Sequence, residues 1–170
     1  MSKVRHCVVY SLEDRYFALP LSTVERIARA AAITPLPSAM DMILGVINLQ
    51  GRVLPVIDIR KRFSLPHHDI NADHHFIVGK SGDRPVAILV DNVMDIIEVA
   101  DEDMVKNDDI LSDLPFISGV IKKDNEMIMV QDLETLLSSD ELQVVDDVIN
   151  SLKKSEKKTN KTKSPTPKKK

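Results

Sequence analysis

Short apolar runs separated by turn residues recur along most of this chain. The densest run covers residues 43–63, where apolar positions are interrupted by two glycines and a proline in ILGVINLQGRVLPVIDIRKRF. Two buried strands of about six residues, joined at Gln50-Gly51, fit this spacing better than one helix. Gly51 provides the positive φ that a tight hairpin turn requires. Pro55 cannot donate to a sheet ladder, so we expect it at an edge or a bulge.

Capping residues predict where the helical segments begin. Asp58 can cap a short helix over residues 59–63, whose basic residues favour its carboxyl end. Ser38 is expected to cap one helical turn before the dense run. Ser138 and Glu141 have the spacing of a capping box at the start of a longer amphipathic helix over residues 140–152.

The rest of the chain continues the strand pattern. Residues 25–33 are ambiguous, because their alanines favour helix by propensity. Residues 101–113 are acidic and loop-like, and residues 133–137 predict a short helix. Further strands are predicted near residues 4–10, 16–19, 75–78, 86–90, 94–99, 117–121 and 127–130. Many short strands separated by turn signals predict an all-β barrel or a pair of barrels.

Composition describes an ordinary soluble protein of one domain. The chain has 170 residues, of which 43% are hydrophobic and 29% charged. We expect no membrane span, because no apolar run is long enough, and no signal peptide, because the first apolar run is too short. A lone Cys7 cannot form an intrachain disulfide, which indicates the cytoplasm.

Charge divides the chain into two parts. Residues 153–170 hold nine lysines and one glutamate, a net charge of +8, whereas residues 1–152 carry −11. This Lys-rich tail has nothing to bury and is predicted to be disordered. Such a tail is usually solubilising, although lysines can also contact nucleic acid or anionic membrane at low salt.

Candidate chemistry is weak throughout. Gly79-Lys80-Ser81 imitates the end of a phosphate-binding loop, but the motif requires a glycine where His74 stands, and Gly82-Asp83-Arg84 predicts a hairpin turn instead. The cluster of His67, His68, Asp69, Asp73, His74 and His75 offers metal-ligand types without helical i, i+4 spacing, so a solvated loop is the simpler interpretation. No spacing ties a nucleophile to an acid–base pair, and Cys7 in mid-strand predicts a buried, inert thiol. The sequence therefore predicts no catalytic residue, metal or cofactor.

The run from Gly45 to Arg60 resembles the signature of the chemotaxis coupling protein family, the CheW-like domain. Its usual form is Gly-Val-x-Asn-Leu-Arg-Gly followed by Pro-Val-x-Asp-Leu-Arg. The matching residues are Gly45, Val46, Asn48, Leu49, Gly51, Pro55, Val56, Asp58 and Arg60. Gln50 departs, because the family usually has arginine there. The resemblance covers roughly residues 3–140, in family order and spacing.

The resemblance implies a fold and a domain boundary. It implies two intertwined SH3-like five-stranded β-barrels that share a core, with short helices and a C-terminal helix. It also favours a strand over residues 25–33. The adaptor domain is then expected over residues 1–152, followed by the disordered tail at 153–170.

The resemblance also implies a function without catalysis. The chain is expected to be a cytoplasmic adaptor that couples methyl-accepting chemoreceptors to a CheA-type histidine kinase at receptor arrays. The receptor's helical hairpin tip would dock in a groove between the barrels, and the kinase would bind through its own CheW-like domain. The implied partner-binding residues are Val24, Gly45, Asn48, Gln50, Arg52, Val93 and Ile96. Alternatively, Val24, Val93 and Ile96 are core residues.

Gln50 leaves one contact open. Arginine there could offer a charged fork to a carboxylate, whereas glutamine offers a neutral amide. Either the contact is weaker, or Arg52 or Arg26 replaces it, or the partner has changed.

Three rival functions remain at the level of sequence. The first is a coupler of the same family serving pilus or gliding motility. The second is a small enzyme or metalloprotein using the histidine loop. The third, a nucleic-acid-binding barrel, is disfavoured by the acidic body and by an aromatic content of 4% without tryptophan.

Overall fold

The computed structural model describes residues 3–36, 41–106 and 116–162, with side chains up to Lys154. Within these ranges the chain forms β1 (Val4–Leu12), β2 (Arg15–Pro20), β3 (Val24–Arg29), β4 (Ile43–Leu49), β5 (Arg52–Ile57), β6 (His75–Ser81), β7 (Arg84–Val90), β8 (Asn92–Ala100), β9 (Met104–Lys106), β10 (Ile117–Lys123), β11 (Glu126–Gln131) and α1 (Ser139–Thr162). Short 3-10 turns occur at Leu21–Thr23, Ile59–Lys61, Asp101–Asp103 and Leu133–Thr135.

The strands form two sheets, and the chain passes from one sheet to the other and back again. Sheet A has the order β8-β1-β2-β11-β10-β9, and sheet B has the order β3-β6-β7-β5-β4. Sheet B is a continuous stretch of the chain, whereas sheet A takes strands from both sides of it. Each strand predicted from the apolar pattern corresponds to an observed strand. In the ambiguous stretch over residues 25–33, where the resemblance favours a strand, β3 covers Val24–Arg29. Where a loop is expected at 101–113, Asp101–Asp103 form a 3-10 turn and Met104–Lys106 form β9. Residues 107–113 lie outside the described residues, as does Ser38.

Sheet B closes on itself through the segment that follows β3. The backbone N–H of Thr34 donates to the carbonyl of Val46 at 2.9 Å, and the N–H of Val46 donates to the carbonyl of Thr34 at 2.9 Å. This bridge joins the continuation of one edge strand to the other edge strand, β4. A closed sheet of this kind exposes few unpaired backbone groups.

The central hairpin confirms the prediction from residues 43–63. β4 and β5 pair antiparallel across Gln50-Gly51, which have φ angles of 52° and 84°, so both central residues of the turn are left-handed. The expectation of an edge position for Pro55 is wrong, because β5 lies between β4 and β7. Pro55 is tolerated there because pairing with β7 is in register only from Val56 onward, so the β7 ladder does not need its missing N–H.

Aromatic side chains join the two sheets. Phe17 lies on β2 of sheet A, and its ring stacks with Tyr10 at a centroid distance of 5.6 Å. Phe63, which follows β5 of sheet B, contacts Phe17 at 4.5 Å and Phe116 at 5.4 Å. Such pairs add to the burial of large apolar area. The sheets therefore share a core, in addition to the separate cluster within each sheet.

The chain divides into two compact units, Met1–Leu137 and Ser138–Lys170. The second begins with the predicted capping box, in which the Ser138 N–H donates to Glu141 Oε2 at 2.8 Å and the Glu141 N–H donates to Ser138 Oγ at 3.2 Å. α1 continues to Thr162, so residues 153–162 are helical where the sequence predicts disorder. Lysine has a good helix propensity, and no glycine or proline occurs between Ser139 and Pro165. Residues 163–170 lie outside the described ranges, and the boundary at residue 152 stays a prediction.

Candidate partner-binding surface

The start of β3 and the β4–β5 turn lie side by side on sheet B. Arg52 Nη1 is 2.6 Å from Glu25 Oε1, and both side chains are about half exposed. The hydrogen bond from Arg52 lowers the pKa of the Glu25 carboxyl, and the positive charges of Arg52, Lys80 and Arg26 act in the same direction. Val24, next to Glu25, is partly exposed. Two of the predicted partner-binding residues, Val24 and Arg52, are thereby brought close together.

The β4–β5 turn gives one of the predicted residues, Asn48, a structural role. The Gly51 N–H donates to Asn48 Oδ1 at 2.9 Å, so the Asn48 side chain closes the turn from within β4. Gln50 is exposed at the turn. A contact between either residue and a partner stays a prediction, but Asn48 already has a role in holding the hairpin.

Gly45 is buried beneath the segment that closes sheet B. A Cβ at this position would lie 2.2 Å from the Thr34 carbonyl oxygen and 2.7 Å from Ile33 Cγ2. The sequence predicts close approach of another backbone here, and the structure identifies that backbone as Thr34. Closure of the sheet is thus sufficient to require glycine at this position, whereas its participation in a partner surface stays a prediction.

Val93 and Ile96 lie on β8, at the edge of sheet A. Ile96 is 51% exposed, so the alternative that it is a core residue is wrong. Ile97 and Val99 are the β8 side chains that point into the core, and alternation along a strand then turns Ile96 outward. Met94, which is not among the residues predicted from the sequence, is also half exposed. Val93 is partly exposed.

The predicted residues therefore form two groups. Val24, Gly45, Asn48, Gln50 and Arg52 belong to sheet B or its β4–β5 turn, and Val93 and Ile96 belong to sheet A. A partner surface that includes both groups must span the junction between the sheets. The rigidity of that junction decides whether the two groups keep a fixed spacing.

A buried arginine, Arg60, links the two sheets at their junction. Arg60 is only 4% exposed, and its Nη1 is 2.6 Å from Glu13 Oε1 while its Nη2 donates to Asp91 Oδ1. The Glu13 N–H also donates to Asp91 Oδ2 at 2.8 Å. Glu13 lies in the β1–β2 turn, Asp91 connects β7 to β8, and Arg60 follows β5. One cation thus links a turn of sheet A, the crossover between the sheets and the end of the central hairpin.

The electrostatics of this cluster favour the charged arginine. Burial acts to lower the pKa of Arg60, but the hydrogen bonds with Asp91 and Glu13 outweigh it and raise the pKa. Because the pKa is raised, the stability that the charged arginine contributes is lost only at pH values above the ordinary arginine range. The cation therefore persists at any pH used for the folded protein. Two histidines adjoin the cluster: His68 Nε2 is 2.5 Å from Glu13 Oε1, and His74 Nε2 is 3.9 Å from Asp91 Oδ1.

The described residues do not form the metal, phosphate-binding or thiol sites considered from the sequence. In the described part of the chain, no group of three or more histidine, cysteine or carboxylate side chains could hold a metal ion. Gly79-Lys80-Ser81 ends β6, and the predicted hairpin turn at Gly82-Asp83 is confirmed. Cys7 is buried in β1, and this burial raises the pKa of its thiol. Among the described helices, none is long and apolar enough to cross a membrane.

The sequence model of the CheW-like domain matches residues 6–141. This chain belongs to the CheW-like domain family. It is 34% identical to the chemotaxis protein CheW of Rhizobium meliloti over 139 residues, which cover 81% of this chain and 90% of that protein. The crystal structure of the scaffolding protein TtCheW from Thermoanaerobacter tengcongensis matches with a TM-score of 0.73 at 27% identity, covering 80% of this chain and 89% of that one.

A relative with a different name also matches. The protein FrzA of Myxococcus xanthus is 31% identical over 94 residues, which cover 54% of this chain and 59% of FrzA. The two-barrel SH3-like fold is confirmed, with five strands in sheet B and six, counting the short β9, in sheet A. The family assignment confirms the prediction of a non-enzymatic chemotaxis scaffolding adaptor.

Proposed function

We propose that this CheW-like protein couples methyl-accepting chemoreceptors to a CheA-type histidine kinase. It would do so in the cytoplasm, at receptor arrays on the inner face of the membrane. The observation that carries this proposal is the family match over residues 6–141 in a chain with an exposed apolar face on β8. Exposed apolar side chains of this size on a scaffold point to a protein partner.

The receptor side of the proposal uses the junction between the sheets. Ile96 and Met94 offer apolar contacts from β8, and Val24 offers one from β3. An amphipathic helical hairpin can place its apolar face across such a surface. The Arg60 cluster holds the two sheets at the fixed spacing that a rigid helical partner requires.

The family usually has arginine where this chain has Gln50. This difference is explained best if a residue of β3 makes the charged contact with the partner instead. Arg52 is engaged by Glu25 at 2.6 Å, which occupies one side of its guanidinium. Arg26 is exposed on β3, in register with Val78 of β6. We infer that Arg26 supplies the charged fork to a receptor carboxylate and that Gln50 contributes a neutral hydrogen bond.

A second candidate is a coupler in a pilus or gliding pathway, favoured by the similarity to FrzA. Both functions would use the same surfaces. A pull-down from the source cell distinguishes them: chemoreceptors together with a histidine kinase support the proposal, kinase with pilus or gliding components supports the alternative, and neither would overturn both.

Replacing Ile96 by glutamate is expected to weaken binding of the receptor hairpin at least about tenfold, because a carboxylate would be desolvated in the interface. Kinase binding and the thermal midpoint should remain unchanged, since Ile96 is 51% exposed in the free protein. Titration of the variant against an isolated receptor cytoplasmic fragment and against the kinase regulatory domain measures both affinities.

Ile70→Glu is the matched control. Ile70 is 40% exposed, lies in the loop between β5 and β6, and belongs to neither group of predicted partner-binding residues. It should bind the receptor fragment as the wild type does. Unchanged receptor affinity of Ile96→Glu, or equal losses in the two variants, would remove β8 from the receptor surface.

A further inference from the structure

Sheets A and B are built on the same plan. In sheet A the β1–β2 hairpin lies between β8, which pairs with β1, and β11, which pairs parallel with β2. In sheet B the β6–β7 hairpin lies between β3, which pairs with β6, and β5, which pairs parallel with β7. Each sheet continues through a second hairpin, β10–β11 or β4–β5, to a short crossing segment. This internal repeat equates β8 with β3, and β10–β11 with β4–β5.

The sequence carries the repeat as well. Residues 45–63 and 119–137 align without a gap, and both begin with Gly-Val-Ile. Gly45 and Gly119 each lie beneath a crossing backbone, because a Cβ would lie 2.2 Å from a carbonyl oxygen at the first and 2.7 Å from one at the second. The aspartates that cap the following 3-10 turns also align. The two halves can therefore be compared residue by residue.

The repeat relates two residues that are already predicted to bind the partner, Val24 and Val93. Val24 lies opposite Gly79 of β6, and Val93 lies opposite Tyr10 of β1. Gly79 and Tyr10 each precede the last cross-strand pair of their hairpin by two residues. The register of both edge strands also shifts next to this pair. Val24 and Val93 therefore occupy equivalent positions.

The same register makes Ile27 the counterpart of Ile96. Ile27 lies opposite Ile77, and Ile96 lies opposite Val8. Ile77 and Val8 are buried but alternate with the residues of the separate cluster within each sheet, so they point to the core that the sheets share. Directly opposite residues lie on the same face of a sheet. The exposed side chains of Ile27 and Ile96 therefore lie at the margin of the shared core.

The two edge strands differ in charge at equivalent positions. Two arginines of β3 correspond to two carboxylates of β8, with Arg26 and Arg29 in place of Asp95 and Glu98. All four residues are exposed. The remaining carboxylate of β3, Glu25, is already paired with Arg52 at 2.6 Å. β3 therefore presents positive charge beside Ile27, whereas β8 presents negative charge beside Ile96.

The end of β8 and the start of β3 adjoin one cleft. Near the end of β8, Glu98 Oε1 is 3.2 Å from His6 Nε2. His6 lines a cleft together with residues 21–23, the 3-10 turn that leads into β3. One partner can therefore reach both edge strands.

We propose that the difference in charge between β3 and β8 fixes the orientation of the receptor's helical hairpin on the adaptor, an inference that rests on the proposed coupling function. Because Ile27 and Ile96 give the two strands equivalent apolar contacts, an antiparallel pair of helices could dock in two orientations related by a half-turn. The favoured orientation brings a receptor carboxylate to Arg29 and a receptor lysine or arginine to Glu98. The reversed orientation places like charges together and is disfavoured.

Reversal of the charges on one strand or on both tests this orientation. The β3 variant has Arg26→Asp and Arg29→Glu, the β8 variant has Asp95→Arg and Glu98→Arg, and the exchange variant has all four changes. The β3 and β8 variants should each bind a receptor cytoplasmic fragment at least about tenfold more weakly, because two attractive contacts become repulsive. The exchange variant should return to within about threefold of the wild-type affinity, since the hairpin can then dock after a half-turn.

The combined change Lys122→Glu and Lys123→Glu is the matched control for the β3 variant. It alters the net charge by the same amount at exposed positions of β10. Its receptor affinity should stay within about twofold of the wild type, because exposed charges are screened beyond about 8 Å at physiological ionic strength. The β3, β8 and exchange variants should keep the wild-type thermal midpoint, since the altered side chains are exposed.

Photo-crosslinking measures the orientation itself. A photoreactive residue in place of Asn92, which is exposed at the start of β8, should label one helix of the receptor fragment. In the exchange variant it should label the other helix. Digestion of the crosslinked product and mass spectrometry identify the labelled helix.

Three results would overturn the orientation alone. They are unchanged receptor affinity of either the β3 or the β8 variant, an exchange variant as weak as the weaker of the two, and an exchange variant that labels the same helix as the wild type. A wild-type adaptor that does not bind the receptor fragment would instead overturn the coupling function, and the proposed orientation with it.

Discussion

Gly45→Ala is expected to lower the free energy of unfolding by about 3 kcal/mol, because overpacking and backbone strain each typically cost about 1–3 kcal/mol. The added Cβ would lie 2.2 Å from the Thr34 carbonyl oxygen. That oxygen cannot withdraw easily, since two backbone hydrogen bonds of 2.9 Å tie Thr34 to Val46. The new methyl group must therefore open the bridge that closes sheet B. Chemical denaturation measures the loss.

Gly82→Ala is the matched control for Gly45→Ala. Gly82 has a φ of 62°, but a Cβ there would meet nothing within 4 Å. Only the left-handed backbone is then penalised, at about 1 kcal/mol. Equal losses for the two variants would contradict the crossing of Thr34 over β4.

Gly45→Asp is expected to weaken receptor and kinase binding together as the fold is lost, so Ile96→Glu is the sharper probe of the receptor surface.

Arg60→Met is expected to lower the free energy of unfolding by about 3 kcal/mol, since removing one partner of a buried ion pair leaves an uncompensated charge. Glu13 and Asp91 would then face each other without the cation that both contact. Arg60→Lys should recover part of the loss, because an ammonium keeps the charge but cannot reach both carboxylates as a planar fork does. Denaturation of the three proteins measures these differences.

Arg52→Met provides the control at the same distance. Arg52 and Arg60 each lie 2.6 Å from a glutamate oxygen, but the Arg52 side chain is 48% exposed and that of Arg60 only 5%. Exposed pairs contribute less than about 1 kcal/mol, so Arg52→Met should be close to neutral. Comparable losses at the two positions would show that burial does not distinguish them, and the Arg60 cluster would lose its role as the link between the sheets.

Local signals were sufficient for much of the fold. Gly51 predicted the hairpin turn, and Ser138 and Glu141 predicted the start of α1, because each signal acts within a few residues. Asp58 likewise accepts a hydrogen bond from the Arg60 N–H, as expected for a cap. Composition was less reliable than propensity at residues 153–162, where low hydrophobicity indicated disorder but the lysines form a helix.

Long-range contacts were not predictable from the pattern. Glycine at position 45 indicated that some backbone approaches closely, but nothing in the sequence identified Thr34. Arg60 meets Asp91 and Glu13 across 31 and 47 residues of sequence, and no local spacing records such a pairing. The exposure of Ile96 depends on which side of β8 faces the core, whereas the sequence shows only an apolar residue in an apolar strand.

The central claim, that this chain physically bridges receptor and kinase, is tested most directly by sedimentation of the purified kinase with receptor-bearing vesicles. Vesicles of pure phosphatidylcholine remove any contribution from the lysines of residues 153–170. The account predicts that the kinase sediments when receptor and adaptor are both present, and stays in solution without the adaptor or with Ile96→Glu. Kinase that sediments equally with and without the adaptor, or an adaptor that binds neither partner, would contradict it.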